Sequence, residues 1–546
     1  MLLRVKNLQT SLKTGNQTLR AVDDVSFEID KGETFCLVGE SGSGKSVTAL
    51  SIMQLLPADI TSHPGGEILF EHRGDDEVLE TVDMLKTDQL RLESIRGARI
   101  AMIFQEPMTS LNPVFTIGEQ ITEALQLHWP AMSDDEAREH AIDALRQVQI
   151  KNPEQRIDEF PHRLSGGQRQ RAVIAMAMAC KPDLLIADEP TTALDVTVQA
   201  EILRLMKALQ QETGMGILFI THDFGVVSQI GDRLAVMKEG KFVESGKVQD
   251  LIQRPQHGYT DRLLKSLPEN LEKPDLKPTT DAQTILELKN LEVYFPVKKG
   301  LFRHTVDYIR AVDDIDMTIK AGQILALVGE SGCGKTTLGR AVLRLTNPTA
   351  GKVIFKGTEI TQLNSREMQA YRCQMQVVFQ DPQSSLNPRL TIATTLTEPM
   401  AAHGIGASYD ERIQRAEALL EQVQMKAEHL WRYPHQFSGG QRQRIGIARA
   451  LCLDPSFIVC DEVTSALDVS VQAEILQLLL SLRDSRQLAL LFITHNIGVV
   501  EYLSDDMIVM HNGKFVEQGK TSDIINNPQV AYTQKLMAAV PRVNVG

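Results

Sequence analysis

A glycine-rich sequence of the form G-x-x-x-x-G-K-[ST] occurs twice in this 546-residue chain, at residues 39–46 and 329–336. Each copy follows a short apolar run, Thr34–Val38 or Ile324–Val328, which is typical of a buried strand. After such a strand, glycines let successive backbone N–H groups converge on an anion, and the lysine and hydroxyl side chains complete a phosphate and Mg²⁺ site. One isolated match is weak, but two copies with similar flanks predict two phosphate-binding loops.

The rest of the chain repeats with the same two-fold pattern. Four residues of the first half recur 273 positions later in the second half. The pairs are Ser165 and Ser438, Asp188 and Asp461, Glu189 and Glu462, and His222 and His495. A constant offset indicates a duplicated domain. The lysines of the two loops are offset by 335 − 45 = 290 and the glutamines Gln105 and Gln380 by 380 − 105 = 275, so the first half holds about fifteen extra residues between Lys45 and Gln105. The polar stretch from His72 to Glu93 is the expected place, as a surface elaboration.

Length and composition favour a soluble protein of several domains. The chain is too long for one core, and its 42% hydrophobic and 23% charged residues are those of a globular protein. No apolar run approaches the ~18 residues that span a bilayer, and charges within residues 1–6 do not fit a signal peptide. The net charge of −13 disfavours a general nucleic-acid surface. We expect a cytosolic chain that binds no nucleic acid.

The halves are predicted to meet in an exposed linker. Residues 267–280 are polar, contain prolines and lack periodicity, and the pattern of the N-terminus restarts near residue 285. The predicted domains are therefore residues 1–266 and 285–546, joined by a linker at 267–284.

Two apolar runs end in paired carboxylates. Asp188 and Glu189 follow residues 184–187, and Asp461 and Glu462 follow residues 457–460. In each pair the aspartate is suited to hold Mg²⁺, and the glutamate is suited to orient or deprotonate a water that attacks a phosphate. An acidic turn after a core strand is the plainer alternative. It is improbable downstream of a matching phosphate loop in both halves.

A serine, two glycines and a glutamine precede a helix-forming pattern in each half, at residues 169–179 and 442–452. The serines, Ser165 and Ser438, are good helix N-caps. An ordinary capped helix would explain the serine alone. Two glycines in the first turn weaken a helix, and they indicate the close approach of a phosphate or another backbone.

Leu164 to Gln168 match the signature sequence of the ATP-binding cassette (ABC) family, and residues 437–441 are a near copy, so nearly the whole chain resembles that family. The resemblance implies an α/β fold with two tandem ABC nucleotide-binding domains, each a P-loop NTPase core with a mixed sheet plus an α-helical subdomain. It also implies ATPase activity with ATP and Mg²⁺. In this family, the phosphate loop of one half faces the signature of the other half with ATP between them.

The resemblance assigns roles to matching residues. Glu189, Glu462, His222 and His495 are expected to be catalytic, and Asp195 and Asp468 to lie in the D-loops. The expected Mg²⁺ ligands are Ser46, Thr336, Gln105, Gln380, Asp188 and Asp461. The expected ATP-binding residues are Gly39, Glu40, Ser41, Gly42, Ser43, Gly44, Lys45, Ser46, Val47, Gly329, Glu330, Ser331, Gly332, Cys333, Gly334, Lys335, Thr336, Thr337, Phe295, Gln105, Gln380, Ser165, Gly166, Gly167, Gln168, Ser438, Gly439, Gly440 and Gln441.

The two predicted sites differ at the position of the adenine-stacking aromatic residue of the family. Phe295 is the preferred candidate in the second half, whereas the first half has Leu12 at the corresponding position. Loss of base stacking weakens binding by ~1–3 kcal/mol. We therefore expect two hydrolytic sites of unequal affinity for ATP.

The runs 105–113 and 380–388 and the tail sequences at Gly258 to Thr260 and Ala531 to Thr533 resemble those of oligopeptide and dipeptide importer ATPases. Some members bind an iron–sulfur cluster after the last motif. Here no cysteine follows Cys460, so neither such a cluster nor a zinc site is expected. Because both cassettes share one chain, the sequence resembles the fused form found in Yej-type peptide and microcin C importers.

This resemblance implies two transmembrane permease subunits as partners and an extracytoplasmic solute-binding protein that acts through them. The chain is then expected at the cytoplasmic face of the inner membrane, as a peripheral protein. Exporter ATPases carry the same hydrolytic residues and remain an alternative. Soluble tandem-cassette translation factors are a second alternative, although the short proline-bearing linker argues against them.

Overall fold

A computed structural model describes residues 1–15, 17–73, 78–105, 110–192, 194–272, 282–299, 304–465, 467–541 and 543. The chain divides into two compact units. The first comprises Met1–Leu194, Val198–Lys265 and Pro541–Gly546, and the second comprises Asp195–Thr197 and Ser266–Val540. Residues 273–281 of the predicted linker lie outside the described residues, so its bounds remain a prediction.

Two sheets form the strand framework of the first unit. Its strands are β1 Leu3–Thr14, β2 Gln17–Ile29, β3 Thr34–Val38, β4 Thr61–Arg73, β5 Leu79–Asp83, β6 Ile100–Ile103, β7 Leu184–Asp188, β8 Gly216–Thr221, β9 Arg233–Lys238 and β10 Lys241–Lys247. One sheet is antiparallel with the order β2-β1-β4-β5. The other has the order β10-β9-β3-β8-β7-β6 and is parallel except for β10.

Helices connect these strands. They are α1 Lys45–Met53, α2 Gln89–Ile95, α3 Ile117–His128, α4 Asp134–Gln147, α5 Pro153–Arg156, α6 Gly166–Met178, α7 Val196–Thr213, α8 Phe224–Ile230, α9 Val248–Gln253 and α10 Gly258–Lys265. Between β6 and β7 the described residues are mainly helical, from α3 to α6. This insertion into the sheet topology is the helical subdomain that the sequence predicts.

The second unit repeats this architecture. Its strands are β11 Thr284–Lys299, β12 His304–Lys320, β13 Ile324–Val328, β14 Ala350–Phe355, β15 Thr358–Glu359, β16 Met375–Val378, β17 Phe457–Asp461, β18 Ala489–Ile493, β19 Asp506–His511 and β20 Lys514–Lys520. The antiparallel sheet has the order β12-β11-β14-β15, and the mixed sheet has the order β16-β17-β18-β13-β19-β20. The predicted α/β class with mixed sheets is confirmed.

The helices of the second unit follow the same sequence of elements. They are α11 Lys335–Val342, α12 Ser365–Arg372, α13 Pro382–Ser385, α14 Ile392–Ala402, α15 Tyr409–Gln422, α16 Gly439–Leu451, α17 Val469–Arg486, α18 Ile497–Leu503, α19 Thr521–Asn526 and α20 Ala531–Ala538.

The central strands of each mixed sheet are buried along their whole length. Every residue of β3, β7 and β8 is buried, as expected for parallel strands covered on both faces. These three strands are neighbours in the sheet, and all are parallel. Their carboxyl ends therefore meet at one edge, where parallel α/β sheets place their functional groups.

The extra residues of the first half lie in two places. Phe70 pairs with Leu3, and Phe355 pairs with Leu286, which makes the two phenylalanines equivalent. Phe70 follows Lys45 by 25 positions and Phe355 follows Lys335 by 20, so five extra residues precede Phe70 and ten follow it. Nine of the later ten lengthen a hairpin, since Phe70 pairs with Val82 of β5, 12 positions on, whereas Phe355 pairs with Thr358 of β15, 3 positions on. Residues 74–77 lie outside the described part of the chain.

Among the described residues, no helix has the length and apolar character required to cross a bilayer.

Candidate functional site

Each glycine-rich loop lies between a buried strand and a helix, as predicted. In the first unit, Gly44 is the N-cap residue of α1 and has a left-handed φ of 107°. A Cβ atom at this position would clash with the carbonyl oxygen of Ala21. Only glycine satisfies both constraints, so the turn into the helix depends on it. Gly334 has the equivalent geometry in the second unit, with φ of 114°.

The loop lysines are buried and hydrogen-bonded to the loops. Nζ of Lys45 donates to the carbonyl oxygens of Gly39 at 2.7 Å and of Glu40 at 3.0 Å. Nζ of Lys335 donates to Gly329 at 2.7 Å and to Glu330 at 2.9 Å. Each ammonium group therefore lies inside the concavity of its loop, where it would contact a bound phosphate.

The two candidate bases adopt an uncommon backbone conformation. Glu189 and Glu462 follow the last residues of β7 and β17, and their φ values are 49° and 48°. The N–H of Glu189 donates to the carbonyl of Ile220, and that of Glu462 donates to Ile493, both at 2.9 Å. A positive φ in a non-glycine residue costs about 1–3 kcal/mol and concentrates at functional sites.

Three side chains hydrogen-bond to the carboxylate of Glu189. Nδ1 of His222 lies 3.2 Å from Oε1. Nε2 of Gln105 donates to Oε2 at 3.1 Å, and Oγ1 of Thr192 donates to the same oxygen at 2.9 Å. The structure thus joins Glu189, His222 and Gln105, which the sequence predicted as site residues. Residues 106–109 of the adjoining run lie outside the described residues.

Glu189 stays ionised although it is buried. Burial alone raises the pKa of its carboxyl group, but the hydrogen bond to His222 and the charge of that histidine outweigh burial and lower the pKa to about 2. An ionised carboxylate at neutral pH can accept a hydrogen bond or a proton from water. Glu189 therefore has the protonation state that a general base requires.

Asp188 differs from Glu189 in its electrostatics. Burial raises the pKa of Asp188, and the hydrogen bond with Ser46 opposes this shift. Its Oδ1 atom is buried and has no hydrogen-bond partner among the described residues. A buried carboxylate oxygen without a donor fits a divalent cation, because Mg²⁺ prefers oxygen ligands.

The second unit repeats the arrangement with one difference. Nδ1 of His495 lies 3.4 Å from Oε1 of Glu462, and Nε2 of Gln380 donates to Oε2 at 2.6 Å. Burial raises the pKa of Glu462, but His495 outweighs it and the net shift is downward. Ser465 is the counterpart of Thr192, and its hydroxyl donates to the backbone carbonyl of Glu462 at 3.0 Å.

Asp461 of the second unit accepts a hydrogen bond from the loop hydroxyl. Oγ1 of Thr336 donates to its Oδ1 at 3.2 Å. Burial raises the pKa of Asp461, and the bond to Thr336 opposes the rise. The two groups predicted to share Mg²⁺ therefore lie together.

Both signature serines cap their helices through capping boxes. The hydroxyl of Ser165 accepts from the N–H of Gln168, whose side chain accepts from the N–H of Ser165; Ser438 and Gln441 repeat the pattern. The helices begin at Gly166 and Gly439, three residues before the predicted start, because the caps stabilise a first turn that contains glycine.

The first signature glycine of each unit is open to solvent. A Cβ atom built on Gly166 or Gly439 would meet nothing within 4 Å. Internal packing therefore does not demand glycine at these positions, which leaves room for the approach of a ligand or another backbone. In contrast, a Cβ atom on Gly167 would press on Val198.

The structure describes both predicted D-loop aspartates. Asp195 is buried and accepts from Oγ1 of Thr197 at 2.7 Å, and Asp468 is the N-cap residue of α17.

The predicted adenine-stacking residue, Phe295, is 42% exposed. It pairs with Ile309 on β12, two residues before Ala311. The carbonyl oxygen of Ala311 lies 1.9 Å from the position that a Cβ atom of Gly334 would take. Phe295 therefore lies on strands that adjoin the second phosphate loop, and its stacking role stays a prediction.

Two tyrosines of the site were not predicted from the sequence. Oη of Tyr259 donates to Oε2 of Glu40 at 3.0 Å, and the N–H of Glu330 donates to Oη of Tyr532 at 3.2 Å. Both tyrosines belong to the tail sequences at 258–260 and 531–533. Their repetition could have drawn attention to them, but nothing in the sequence shows that the tail helix reaches the loop.

Comparison with known proteins agrees with this geometry. The family model described as "ABC transporter" matches residues 22–192 and 312–465, which together are more than half of the chain. The chain belongs to the ABC transporter family. It is accordingly an ATPase that binds and hydrolyses ATP, as predicted. A second model, "Oligopeptide/dipeptide transporter, C-terminal region", matches residues 243–290 and 516–546. This match confirms the resemblance of the two tails to that subfamily.

Full-length relatives share the fused organisation. The chain is 49% identical to "Peptidoglycan transport ATP-binding protein YejF" of Agrobacterium fabrum, over 98% of this chain and 96% of the relative. It is 45% identical to "Glutathione import ATP-binding protein GsiA" of Salmonella paratyphi A, over 99% of this chain and 89% of the relative. The same identity and coverage are found with the GsiA protein of Escherichia coli K12.

Proposed function

We propose that this ABC ATPase energises the import of peptides or peptide-like solutes through separate permease subunits. The observation that carries the proposal is the match of both tails to the oligopeptide/dipeptide transporter C-terminal region. The names of the full-length relatives support it, since each concerns transport of a solute that contains peptide bonds. The chain would act at the cytoplasmic face of the inner membrane, beside two permeases that receive solute from an extracytoplasmic binding protein.

Two sites would carry out hydrolysis. Lys45, Asp188, Glu189 and His222 would act in the first half. The matching residues Lys335, Asp461, Glu462 and His495 would act in the second half. Fusion of the two cassettes in one chain fixes them in a one-to-one ratio.

Mg²⁺ would be held by the loop hydroxyl, the aspartate and the glutamine of each half. These ligands are Ser46, Asp188 and Gln105 in the first half and Thr336, Asp461 and Gln380 in the second. The ion would neutralise charge on the β- and γ-phosphates. The ionised Glu189 would accept a proton from the attacking water, and His222 would hold that carboxylate in place.

Copurification from native membranes tests the proposal. The tagged full-length chain would be isolated after mild detergent solubilisation, with and without ATP, from cells expressing wild type or the Glu189→Gln/Glu462→Gln variant. We expect recovery of two different permease chains in equal amounts. Recovery with ribosomes, or recovery of the chain alone from membranes that contain the permeases, would contradict import. Uptake of labelled peptides should then be lost in the double variant.

A further inference from the structure

The tail helix of each unit brings a tyrosine to the start of the phosphate loop in the same unit. Tyr259 on α10 donates to the side chain of Glu40, with 3.0 Å between Oη and Oε2. Tyr532 on α20 accepts from the backbone N–H of Glu330 at 3.2 Å. Glu40 and Glu330 occupy the second position of the two loops. The same contact region recurs in both compact units, although the tyrosine donates in one and accepts in the other.

The ring of each tyrosine rests on the end of a neighbouring strand. Nζ of Lys238, the last residue of β9, lies 5.3 Å from the ring centroid of Tyr259. The rings of His511, the last residue of β19, and Tyr532 have centroids 4.0 Å apart. Tyr259 is only 4% exposed. The tyrosine is therefore fixed in place rather than free to leave its loop.

Met237 and Met510, which precede Lys238 and His511 in their strands, lie against the first glycine of each phosphate loop. A Cβ atom on Gly39 would clash with the carbonyl of Met237, and one on Gly329 would clash with the carbonyl of Met510. In each unit, the tail helix, the end of the strand and the start of the phosphate loop therefore pack against one another. A change in the tail would therefore reach the loop through direct contacts.

In each unit, the loop glutamate that hydrogen-bonds to the tyrosine also hydrogen-bonds to the loop lysine. The carbonyl of Glu40 accepts from Nζ of Lys45 at 3.0 Å, and that of Glu330 accepts from Nζ of Lys335 at 2.9 Å. Fixing the glutamate therefore fixes one of the carbonyls that orient the ammonium group. A loop ordered before phosphate arrives loses less conformational freedom on binding, which favours affinity.

We propose that Tyr259 and Tyr532 are positioning residues for ATP, and that the oligopeptide-type tail of each unit holds the phosphate loop of the same unit in an ordered conformation. Loss of the phenolic hydroxyl should loosen the loop and weaken nucleotide binding while the chemical step proceeds. The proposal depends on the ATPase activity of the family and not on the import function, so it stands or falls independently of the copurification result.

Calorimetric titration with ADP and Mg²⁺ tests the first unit. The full-length chain would carry Lys335→Ala, so that only the first loop retains its lysine. We expect Tyr259→Phe to weaken ADP binding about threefold to tenfold, the effect of one net hydrogen bond. Tyr409→Phe is the matched control, since Tyr409 is 51% exposed on α15 and should leave the affinity unchanged. An unchanged ADP affinity in Tyr259→Phe would overturn the proposal, whatever its melting temperature.

Two further readouts separate positioning from general stability. In the otherwise native chain, the Tyr259→Phe/Tyr532→Phe variant should raise KM for ATP while kcat changes less than twofold. A fall in kcat with unchanged KM would overturn the proposal. In a Glu40→Ala background, Tyr259→Phe should weaken ADP binding less than twofold further, because Glu40→Ala already removes the acceptor of the shared bond. A full additive loss would show that this bond does not mediate the effect.

Discussion

Nδ1 of His222 lies 3.2 Å from Oε1 of Glu189, and Nδ1 of His495 lies 3.4 Å from Oε1 of Glu462. In both units, the other carboxylate oxygen accepts from a glutamine, Gln105 or Gln380. Each carboxylate is thus held between a histidine that follows β8 or β18 and a glutamine that follows β6 or β16. The candidate base is oriented by groups from two different strands.

The pairing with His222 predicts a pH effect. Histidine keeps the pKa of Glu189 at about 2, below its ordinary value of 4.5, against the upward effect of burial. The stability from this pairing is present above pH 4.5 and is lost as pH falls from there toward 2. In the His222→Ala variant, the carboxyl group of Glu189 stays buried but loses the histidine that offsets the effect of burial. The pKa of Glu189 should therefore rise. The acid limb of kcat/KM should then move to higher pH in a Glu462→Gln background.

A pH profile of phosphate release would measure this shift, with His140→Ala as control because His140 lies exposed on α4. An acid limb at the same pH in His222→Ala and in the control would contradict the assignment of His222.

Thr192 predicts a difference between the two sites. Its hydroxyl donates to the carboxylate of Glu189 at 2.9 Å, whereas the hydroxyl of Ser465 donates to the backbone carbonyl of Glu462 at 3.0 Å. Thr192→Val should lower turnover at the first site about threefold to tenfold through loss of one hydrogen bond. Ser465→Ala should have a smaller effect at the second. Equal losses, measured in the matching single-site backgrounds Glu462→Gln and Glu189→Gln, would rule out this difference.

Phe295 and Leu12 predict unequal nucleotide affinity. If Phe295 stacks on adenine, Phe295→Leu should weaken ADP binding about tenfold in a Lys45→Ala chain, in line with ~1–3 kcal/mol for base stacking. Leu12→Phe should tighten binding in a Lys335→Ala chain. Calorimetry measures both, and an unaltered affinity in Phe295→Leu would remove the proposed cause of asymmetry.

The core of each unit was predictable from the sequence because its signals are local. Apolar runs bounded by glycine or paired carboxylates indicated β3 and β13 with their observed bounds, and β7 and β17 to within one residue. The chemistry of Lys45, Asp188 and Glu189 followed from residue types next to those strands. The parallel order of the strands then brings these groups together at one sheet edge.

The features that were missed depend on contacts between distant parts of the chain. Tyr259 lies 219 positions from Glu40, and its hydrogen bond depends on how α10 packs. The extra residues of the first half were expected in one surface segment, yet five of them precede Phe70, and nine of the other ten lengthen the β4–β5 hairpin. Strand register, which decides this division, depends on partners that periodicity does not identify.

We predict that this one chain carries two competent hydrolytic sites. Steady-state phosphate release at saturating ATP and Mg²⁺ would be compared for wild type, Glu189→Gln, Glu462→Gln and the double variant, each checked for intact ADP binding. We predict that each single variant falls below the wild-type rate and that the rate of the double variant falls at least about a hundredfold. One single variant with the full wild-type rate, beside another that is inactive, would contradict it.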